Sequence, residues 1–534
     1  MTSPDSGLAC RLETLSLGIA EALAGQCDRH HGFAETEFYG TAFACMLWCR
    51  WPDRFAADLE AGLMRLKQQD KRARIGLWEN PFHWEFVRFA LADLFRHGSV
   101  AAFHGSDEVL EKPAFVGTRV ANWMLLRSTA RIAEGRGTWL GRLERRVALS
   151  VYQQPGGFIE DQRGAPTQQY HAFMTALLGY QIVVLGEDSA FLHTRFETAL
   201  TALQRTALHD GEVNAIGRGQ FQSFGYAASI LALAYGLRLG LAAEGAQTLL
   251  ELVLQRLERS VAADGALPLM LIEAAGAPGT PPVHPHQSRI GWHSYNNGPD
   301  YLAFTGAALK LAAEQLTGMT LSSRPLSPPE QDTLSDGIRA VRTPVWSAIL
   351  TLPHAGLTAA QPLPYIVLPS GARPLPAYGG ETLPESIYTA LAQPLPVLEA
   401  PPGTFRTLFG GALFRWDGPD KIVGEGTSFR FERRFDFTDD MITIEDALIL
   451  NQPDPEMRLH LPWLPMPDGC DATDNGTVFK LDGARLESDL PLTPVETAGR
   501  QYGMSGALRI WSHATAAPSG GDVARAAYRV RLTP

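Results

Sequence analysis

Residues 156–180 read GGFIEDQRGAPTQQYHAFMTALLGY: a glycine-rich turn with two acids runs into an apolar helix, and Tyr170 and His171 stand at the helix entry. Two later stretches, 210–236 and 291–314, repeat the arrangement. Each has a polar, turn-rich loop, an alanine- and leucine-rich helix and a tyrosine near the entry. A loop-and-helix unit that recurs in this way predicts stacked helical hairpins that share one core.

Helical periodicity extends over residues 12–317, where apolar residues recur at three- and four-residue spacing and Gly, Pro, Asp and Asn mark the joints. Six helices have a related entry: the three above, and those near GFAETEFYGTAF from 32, ENPFHWEFVRFAL from 79 and GTRVANWMLLRSTA from 117. These six are apolar nearly all round, whereas intervening helices such as 138–151 have one polar face. Inner helices that alternate with outer ones predict an (α/α) toroid whose inner helices all begin at one mouth.

The pattern changes at residues 321–329, where LSSRPLSPP replaces the helical period. Proline is then frequent between residues 361 and 403, which excludes long helices there, and short alternating runs follow, such as TSFRFERRFDF from 427. Short alternating runs with turns between them predict an antiparallel β-sandwich. We therefore expect a catalytic toroid over 1–320, a linker over 321–343 and a β-sandwich domain over 344–534.

The net charge of −11 over 534 residues disfavours a nucleic-acid-binding protein, although a local group of Arg and His could bind an anionic polymer. No apolar run reaches the ~18 residues of a membrane span, and the N-terminus lacks a basic start followed by an apolar block. As the sequence stands we expect a cytoplasmic protein, and a periplasmic or secreted one if a leader was trimmed. His284, His286 and His293 lie in a loop segment without a carboxylate, which disfavours a metal site, and no cofactor is expected.

Several entry motifs resemble those of the polysaccharide lyases of the chondroitin AC/hyaluronate and heparinase II/III-like groups. ENPFHWEFVRFAL resembles the tryptophan-rich helix that forms a sugar platform, and GTRVANWM resembles the entry whose asparagine neutralises the substrate carboxylate. GGFIEDQRGAPTQQYHAF and GRGQFQSFGY both resemble the segment with the catalytic tyrosine, and TSFRFERRFDFTDDMITIEDAL resembles strands of the β-domain. The family's histidine precedes its tyrosine by several residues, and Glu160, Asp161 and Gln162 occupy that region here.

The resemblance implies cleavage of a uronic-acid polysaccharide by β-elimination. Hydrogen-bond donors must neutralise the uronate carboxylate, and a base must take the neighbouring proton. A tyrosine has an unperturbed pKa near 10, so it needs positive charge or donors beside it to act near neutral pH. Two tyrosines fit the base position, Tyr170 and Tyr226, and the sequence does not choose between them.

Because the inner helices begin at one mouth, residues from separate helices are expected to converge there. The candidate catalytic residues are Asn122, Tyr170, His171, Arg218, Tyr226 and His293. The candidate substrate-binding residues are Trp78, Trp84, Trp123, Gln169, Gln220, Trp292, Tyr295 and Asn297, chosen because sugar faces pack on aromatic rings and amides bind hydroxyls. Asn122 could equally serve only as the N-cap of its helix.

Two other functions remain open. A glycoside hydrolase on the same toroid would use a carboxylate pair, such as Glu160 or Asp161 with Asp210 or Asp300. A non-catalytic polysaccharide-binding protein of exopolysaccharide production would hold the chain without cutting it. All three readings share an anionic polysaccharide or oligosaccharide as the expected partner.

Overall fold

The computed structural model describes residues 7–533, apart from 35–36, 75–82, 98–117, 243, 272–297, 321–323, 325–331, 336, 354–359, 376–377, 382–393, 401–402, 409–411, 452–455, 498–500 and 504–505. Within these residues, the N-terminal part is helical and the C-terminal part is built of antiparallel strands. No described helix combines the length and the hydropathy that crossing a bilayer would require.

The helices of the described residues are α1 (Leu8–Gln26), α2 (Gly40–Trp48), α3 (Pro52–Arg74), α4 (Trp84–Arg96), α5 (Ala121–Ala133), α6 (Thr138–Tyr152), α7 (Gln168–Val183), α8 (Ala190–Thr206), α9 (Ser223–Leu239), α10 (Ala246–Arg259) and α11 (Gly298–Leu316). A two-stranded ribbon, β1 (Cys27–Asp28) and β2 (Gly32–Phe33), links α1 to α2.

Six helices form a closed inner ring. Each contacts the next in the order α2, α4, α5, α7, α9 and α11, and α11 returns to α2. The outer helices α3, α6 and α10 each pack on one inner neighbour, α8 packs on α7 and α9, and α1 packs on α11 and α2. Inner helices such as α7 are buried on every side, whereas α10 buries one stripe, because only an apolar surface all round can lie between other helices. The six predicted entries lead into these six helices, so the (α/α) toroid is confirmed.

Aromatic rings fill the middle of the ring. Phe173 of α7 stacks on Phe86 of α4 at 5.7 Å between centroids, and Phe224 of α9 stacks on Phe304 of α11 at 3.9 Å. Phe43 of α2 contacts Phe304 edge-on at 5.5 Å. Among the described residues, rings from five inner helices therefore pack into one core that fills the middle of the ring.

The strands of the C-terminal half form antiparallel sheets. They are β3 (Asp332–Ser335), β4 (Ile338–Arg342), β5 (Ser347–Thr351), β6 (Tyr365–Val367), β7 (Tyr378–Glu381), β8 (Val397–Ala400), β9 (Thr404–Thr407), β10 (Leu413–Trp416), β11 (Lys421–Glu425), β12 (Phe429–Phe437), β13 (Met441–Leu450), β14 (Arg458–Pro467), β15 (Asp471–Thr473), β16 (Val478–Leu481), β17 (Ala484–Ser488), β18 (Thr493–Val495), β19 (Gln501–Gly503), β20 (Gly506–Ala516) and β21 (Val523–Leu532).

The larger sheets have the strand orders β10-β11-β12-β13-β21-β17-β16-β15 and β7-β19-β20-β14-β8-β9, with β18 on β20, and β3 to β6 form a four-stranded sheet. One core joins them, since Leu464 of β14, Ile444 of β13 and Ile366 of β6 belong to the same buried cluster. This is the expected antiparallel β-sandwich. Strands β3 and β4 lie within residues 321–343, the stretch that the sequence assigned to a linker.

The sheets are fastened to the helical ring near the loop that follows α8. The guanidinium of Arg342 donates to the carbonyl of Gln204 at 3.1 Å, and a ring nitrogen of His209 lies 2.8 Å from the carbonyl of Thr343. The backbone N–H of His209 also donates to the Ser347 hydroxyl at 2.9 Å. The loop between α8 and α9, which carries candidate site residues, therefore packs directly against the β-domain.

Candidate active site

Residues at the N-terminal ends of all six inner helices gather at one mouth. We call this group the mouth cluster; its members are Tyr39 before α2, His83 before α4, Asn122 and Trp123 in the first turn of α5, Tyr170 in the first turn of α7, Arg218 in the loop before α9 and Tyr301 in the first turn of α11. Of the site residues predicted from the sequence, Asn122, Trp123, Tyr170 and Arg218 belong to this cluster.

An ion pair organises one side of the mouth cluster. Arg218 Nη2 lies 2.9 Å from Asp161 Oδ2, and the Arg218 guanidinium carbon lies 4.4 Å from the centroid of the Tyr170 ring. The backbone N–H of Asn122 lies near the Asp161 carboxylate and favours its charged form, and the Ala121 N–H donates to the Asp161 carbonyl at 3.1 Å. The start of α5, the turn after α6 and the loop before α9 are thereby joined around one tyrosine.

Aromatic contacts complete the other side. The His83 ring meets Trp123 edge-on at 4.9 Å and lies parallel to Tyr39 at 5.9 Å. Burial raises the pKa of Tyr301 well above its ordinary value, and the neighbouring Tyr170, Tyr39 and Arg218 all act on it. Burial lowers the pKa of His83 to about 4, so this imidazole is neutral near pH 7. The mouth is thus lined by neutral aromatic groups and one paired cation.

Several side chains at the mouth, Gln169 and Asn122 among them, hold buried polar atoms without partners among the described residues. Gln169 is fully buried, yet neither its amide nitrogen nor its amide oxygen has a hydrogen-bond partner, and Asn122 Oδ1 is also unpartnered. The adjacent Gln168 differs, since its Oε1 accepts from the backbone N–H groups of Ala215 and Ile216 at 2.7 and 3.1 Å. An unsatisfied buried amide costs free energy, so its presence calls for an explanation such as a functional role or a bound water or ion.

The loop before α9 lies directly against Gln169. Gly219 has a φ of +83°, and a Cβ at this position would overlap the amide of Gln169. Gly217 has a φ of +81° and the same closeness to Thr167. The glycines before and after Arg218 therefore permit both the left-handed backbone and the close approach that place Arg218 over Tyr170.

His171 is a structural residue, which corrects the expected catalytic role. Its Nδ1 accepts from the backbone N–H of Ile159 at 3.0 Å, and its Nε2 lies 3.1 Å from the carbonyl of Ala199. The ring also stacks on Phe158 at 4.2 Å. Burial lowers the pKa of His171 to about 3, so it is neutral and fully engaged in fixing the turn that carries Asp161.

Tyr226 is also structural, which separates the two tyrosines that the sequence left equivalent. It is fully buried, and its hydroxyl donates to the Glu212 carboxylate at 2.9 Å. Glu212 in turn pairs with Arg256 at 3.4 Å, and Arg256 pairs with Asp210 at 2.6 Å. Arg373 of the β-domain binds the same Asp210, so Tyr226 belongs to a charge network between the domains and not to the mouth.

The acids proposed for a hydrolase form hydrogen bonds or ion pairs with other groups of the protein. Asp300 accepts from the backbone N–H groups of Phe38 and Tyr39 at 3.0 and 2.9 Å, and Asp210 lies in the network just described. Glu160 Oε2 accepts from the Gly164 N–H at 3.0 Å, and Asp161 is paired with Arg218. These carboxylates do not face one another across an open space, as a glycosidase pair must.

The other residues that the sequence proposed for the site lie in different surroundings. Trp84 is buried in the core of the ring, so the prediction that a sugar stacks on its indole is wrong. Gln220 is fully buried and donates to the Ala215 carbonyl at 3.2 Å, which holds its own loop. Trp123 is partly exposed beside His83. The remaining candidates Trp78, Trp292, His293, Tyr295 and Asn297 lie outside the described residues, as do His284 and His286.

A cleft of about 1050 Å³ opens between the helical ring and the sheets, next to the turn that carries the two acids. Glu160, Gln153 and Arg163 line it on the helical side, and Phe414 and Trp416 line it on the sheet side. Glu160 thus faces this cleft while its neighbour Asp161 faces the mouth. No group of His, Cys, Asp and Glu suited to a metal ion occurs in the described part of the chain.

Sequence reasoning did not select Tyr39, His83 and Tyr301 as site residues, nor Asp161 as the partner of Arg218. A signal was present for the first three, since each lies directly at the entry of a predicted inner helix and carries an aromatic ring. The ion pair had no such signal, because its members lie 57 residues apart on two different turns.

No protein-family model matches this sequence, and no curated protein matches it. Among solved structures, the chondroitin AC lyase of Streptomyces coelicolor A3 in complex with chondroitin sulphate covers 100% of this chain and 81% of its own, with 13% identity and a TM-score of 0.52. This chain shares the fold of that structure, a helical toroid followed by antiparallel sheets.

Two further structures align less closely. The heparan sulfate lyase of Pedobacter heparinus is 10% identical over 97% of this chain and 83% of its own, with a TM-score of 0.35. A possible member of the GH105 family from Klebsiella pneumoniae subsp. pneumoniae is 10% identical over 59% of this chain and 95% of its own, with a TM-score of 0.40. At these identities the comparisons establish the architecture, and the chemistry has to be argued from the residues of the mouth.

Proposed function

We propose that this protein is a polysaccharide lyase that cleaves a uronic-acid-containing polysaccharide by β-elimination at the mouth of its toroid. The observation that carries the proposal is Tyr170 beneath the Arg218 guanidinium at 4.4 Å, with Asn122 held against the same ion pair. A phenol, a cation and an amide from three different elements thus converge on one place, which is what proton abstraction beside a carboxylate requires.

In the proposed reaction the oxygen of the deprotonated Tyr170 takes the C5 proton of the uronate. The electron pair left on C5 forms the C4–C5 double bond as the bond between C4 and the glycosidic oxygen breaks. Tyr170 then returns the proton to the leaving oxygen, so the enzyme ends in its starting state and no water is consumed. The positive charge of Arg218 stabilises the phenolate in this cycle.

The carboxylate of the uronate needs hydrogen-bond donors, because negative charge accumulates beside it as the proton leaves. Asn122 and Gln169 are the proposed donors, and the unpartnered amide nitrogen of Gln169 supports the assignment of Gln169. A neutral His83 adds no charge to the site. Trp123, which is partly exposed at the edge of the mouth cluster, is the proposed platform for a sugar face.

The direct experiment is an ultraviolet assay of the purified protein against uronate polymers that include chondroitin sulfate and heparan sulfate. A lyase yields an unsaturated, ultraviolet-absorbing end, whereas a hydrolase yields a reducing end without that absorbance. Growth of the absorbance with each cut supports the proposal. Reducing ends without absorbance would show a hydrolase, and binding by calorimetry without any product would show the non-catalytic polysaccharide-binding function.

A further inference from the structure

We propose that Asp161 is a positioning residue that fixes Arg218 over the Tyr170 ring and sets the electric field at the Tyr170 hydroxyl. The inference deepens the proposed function and rests on it in taking Tyr170 as the reacting group. Its structural basis, however, is independent of any substrate and can be measured without one.

The turn that carries Asp161 is held from several directions. The Ile159 N–H donates to His171 Nδ1 at 3.0 Å, and the Glu160 N–H donates to the Tyr152 carbonyl at 3.0 Å. Gly157, with a φ of +92°, packs so closely on Thr198 that a Cβ would overlap the Thr198 backbone. His171 follows Tyr170 directly in α7, so the helix that carries the tyrosine also anchors the turn that carries its acid.

The Asp161 carboxylate is held through one oxygen. Oδ2 accepts from Arg218 Nη2 at 2.9 Å, and the nearby backbone N–H of Asn122 favours the charged form of the carboxylate. The Asp161 side chain is only 4% exposed and that of Arg218 is 18% exposed. The buried Asp161 carboxylate thus holds the largely buried Arg218 guanidinium in one orientation, across the face of the Tyr170 ring.

Few other charges reach Tyr170. On α11, Tyr301 has a pKa raised by burial and is neutral, and Asp300 is bound to backbone N–H groups of the segment before α2. On α7, His171 is neutral and directed toward Phe158, and on α9 Tyr226 is directed to Glu212 in the network between the domains. Within the described residues, the field at the Tyr170 hydroxyl therefore depends chiefly on Arg218 and on the Asp161 charge that offsets it.

The test is a spectroscopic titration of Tyr170 in the purified protein, taken as the difference in phenolate absorbance between each variant and the same variant with Tyr170→Phe. Asp161→Asn keeps the shape of the side chain and removes its charge, so Arg218 is no longer offset. We expect the Tyr170 titration midpoint to fall by roughly 1 pH unit or more. Arg218→Gln leaves the Asp161 charge alone, and we expect the midpoint to rise.

Glu160→Gln is the matched control, since Glu160 is the neighbouring buried acid and faces the cleft instead of the mouth. It should leave the Tyr170 midpoint unchanged. An Asp161→Asn protein that keeps its circular dichroism and also keeps the parent midpoint would overturn the inference. A residue with a merely structural role would change the melting temperature and leave the midpoint where it was.

Asp161→Asn leaves a cation in a largely buried site, and it could fail to fold for that reason. The double variant Asp161→Asn with Arg218→Gln removes both charges together and is then compared with Arg218→Gln alone. If Asp161 acts on Tyr170, the double variant has the lower midpoint of the two. Equal midpoints would overturn the inference. Because neither measurement uses a polysaccharide, a failed lyase assay and a failed positioning role remain distinguishable.

Discussion

The guanidinium carbon of Arg218 lies 4.4 Å from the centroid of the Tyr170 ring, although 48 residues separate the two in the chain. The contact depends on Gly217 and Gly219, whose left-handed backbone carries the arginine past the start of α7. It places a cation on the face of Tyr170. The first prediction concerns that tyrosine.

Tyr170→Phe is expected to lower the rate of elimination by about 10²- to 10⁴-fold, because it removes the group that moves the proton. The measurement is the initial rate of ultraviolet absorbance on a responsive uronate polymer. Tyr235→Phe is the matched control, since Tyr235 is a fully buried tyrosine of inner helix α9 whose hydroxyl has no partner among the described residues. An unchanged rate in Tyr170→Phe would remove this residue from the mechanism.

Substitution of the adjacent residues Gln168 and Gln169 should have opposite effects on stability and on the rate of elimination. Gln168→Met breaks hydrogen bonds to the Ala215 and Ile216 N–H groups, and we expect the free energy of unfolding to fall by about 1–3 kcal/mol. Gln169→Met breaks no hydrogen bond within the described residues, so we expect stability to be kept or raised. Elimination should nevertheless fall by about 10²-fold, because a proposed carboxylate donor is lost. Denaturant melts and the ultraviolet assay measure the two effects.

Equal losses of stability in the two glutamine variants would contradict this contrast. So would full activity of Gln169→Met in a folded protein, since it would show that the unpartnered amide has no part in the reaction.

The variant Tyr226→Phe tests whether the second tyrosine takes part in catalysis. The change removes the donor to the buried Glu212 carboxylate, and we expect the free energy of unfolding to fall by about 1–3 kcal/mol. The rate per folded molecule should stay at the parent value, because Tyr226 is fully buried in the network between the domains. Loss of elimination with an unchanged melting temperature would instead make Tyr226 the base.

Acid should weaken the contact between the domains through Asp210. Burial alone would raise its pKa, but Arg256 and Arg373 outweigh burial and lower it. A carboxylate whose folded pKa lies below its unfolded value stabilises the fold above about pH 4, and that stability is lost as the pH falls through the folded pKa. Asp210→Asn should therefore destabilise the protein most near neutral pH, and its difference from the parent should shrink in acid.

Melting temperatures of the parent and of Asp210→Asn across the acid range measure this effect. Burial raises the pKa of the adjacent Glu212, which acts in the opposite direction, so the difference between proteins is the informative quantity. Asp489→Asn is the control, because Asp489 forms an exposed pair with Arg529 that should contribute little. A constant difference between the parent and Asp210→Asn at every pH would contradict the assignment.

The fold was predictable because its two halves obey different periodicities. Helix α7 is apolar on all sides and α10 on one, and that difference alone distinguishes inner from outer helices. Strands β3 and β4 were not predicted from the sequence, because at four and five residues they are too short for an alternating pattern to stand out beside the prolines. The limits of the domains otherwise stay a prediction.

The site was only partly predictable. Tyr170 and Tyr226 both follow a glycine-rich turn and both enter an apolar helix, so local sequence cannot separate them. What separates them is tertiary: one lies beneath a guanidinium at the mouth, and the other donates to a buried carboxylate. His171 likewise has the residue type and the position, directly after Tyr170, that are expected of a catalytic residue. Only its two hydrogen bonds to the backbone show that it holds a turn.

The closure of the ring has a consequence for when activity can arise during synthesis. Asp300, at the start of α11, binds the backbone N–H groups of Phe38 and Tyr39, about 260 positions earlier in the chain. Tyr39 and Tyr301 therefore reach their places only after the last inner helix has left the ribosome and met the first. A nascent chain that stops before α11 would contain Tyr170 and Arg218 but would lack the closed ring of helices that forms the mouth. We expect such a chain to be inactive until α11 packs against α2.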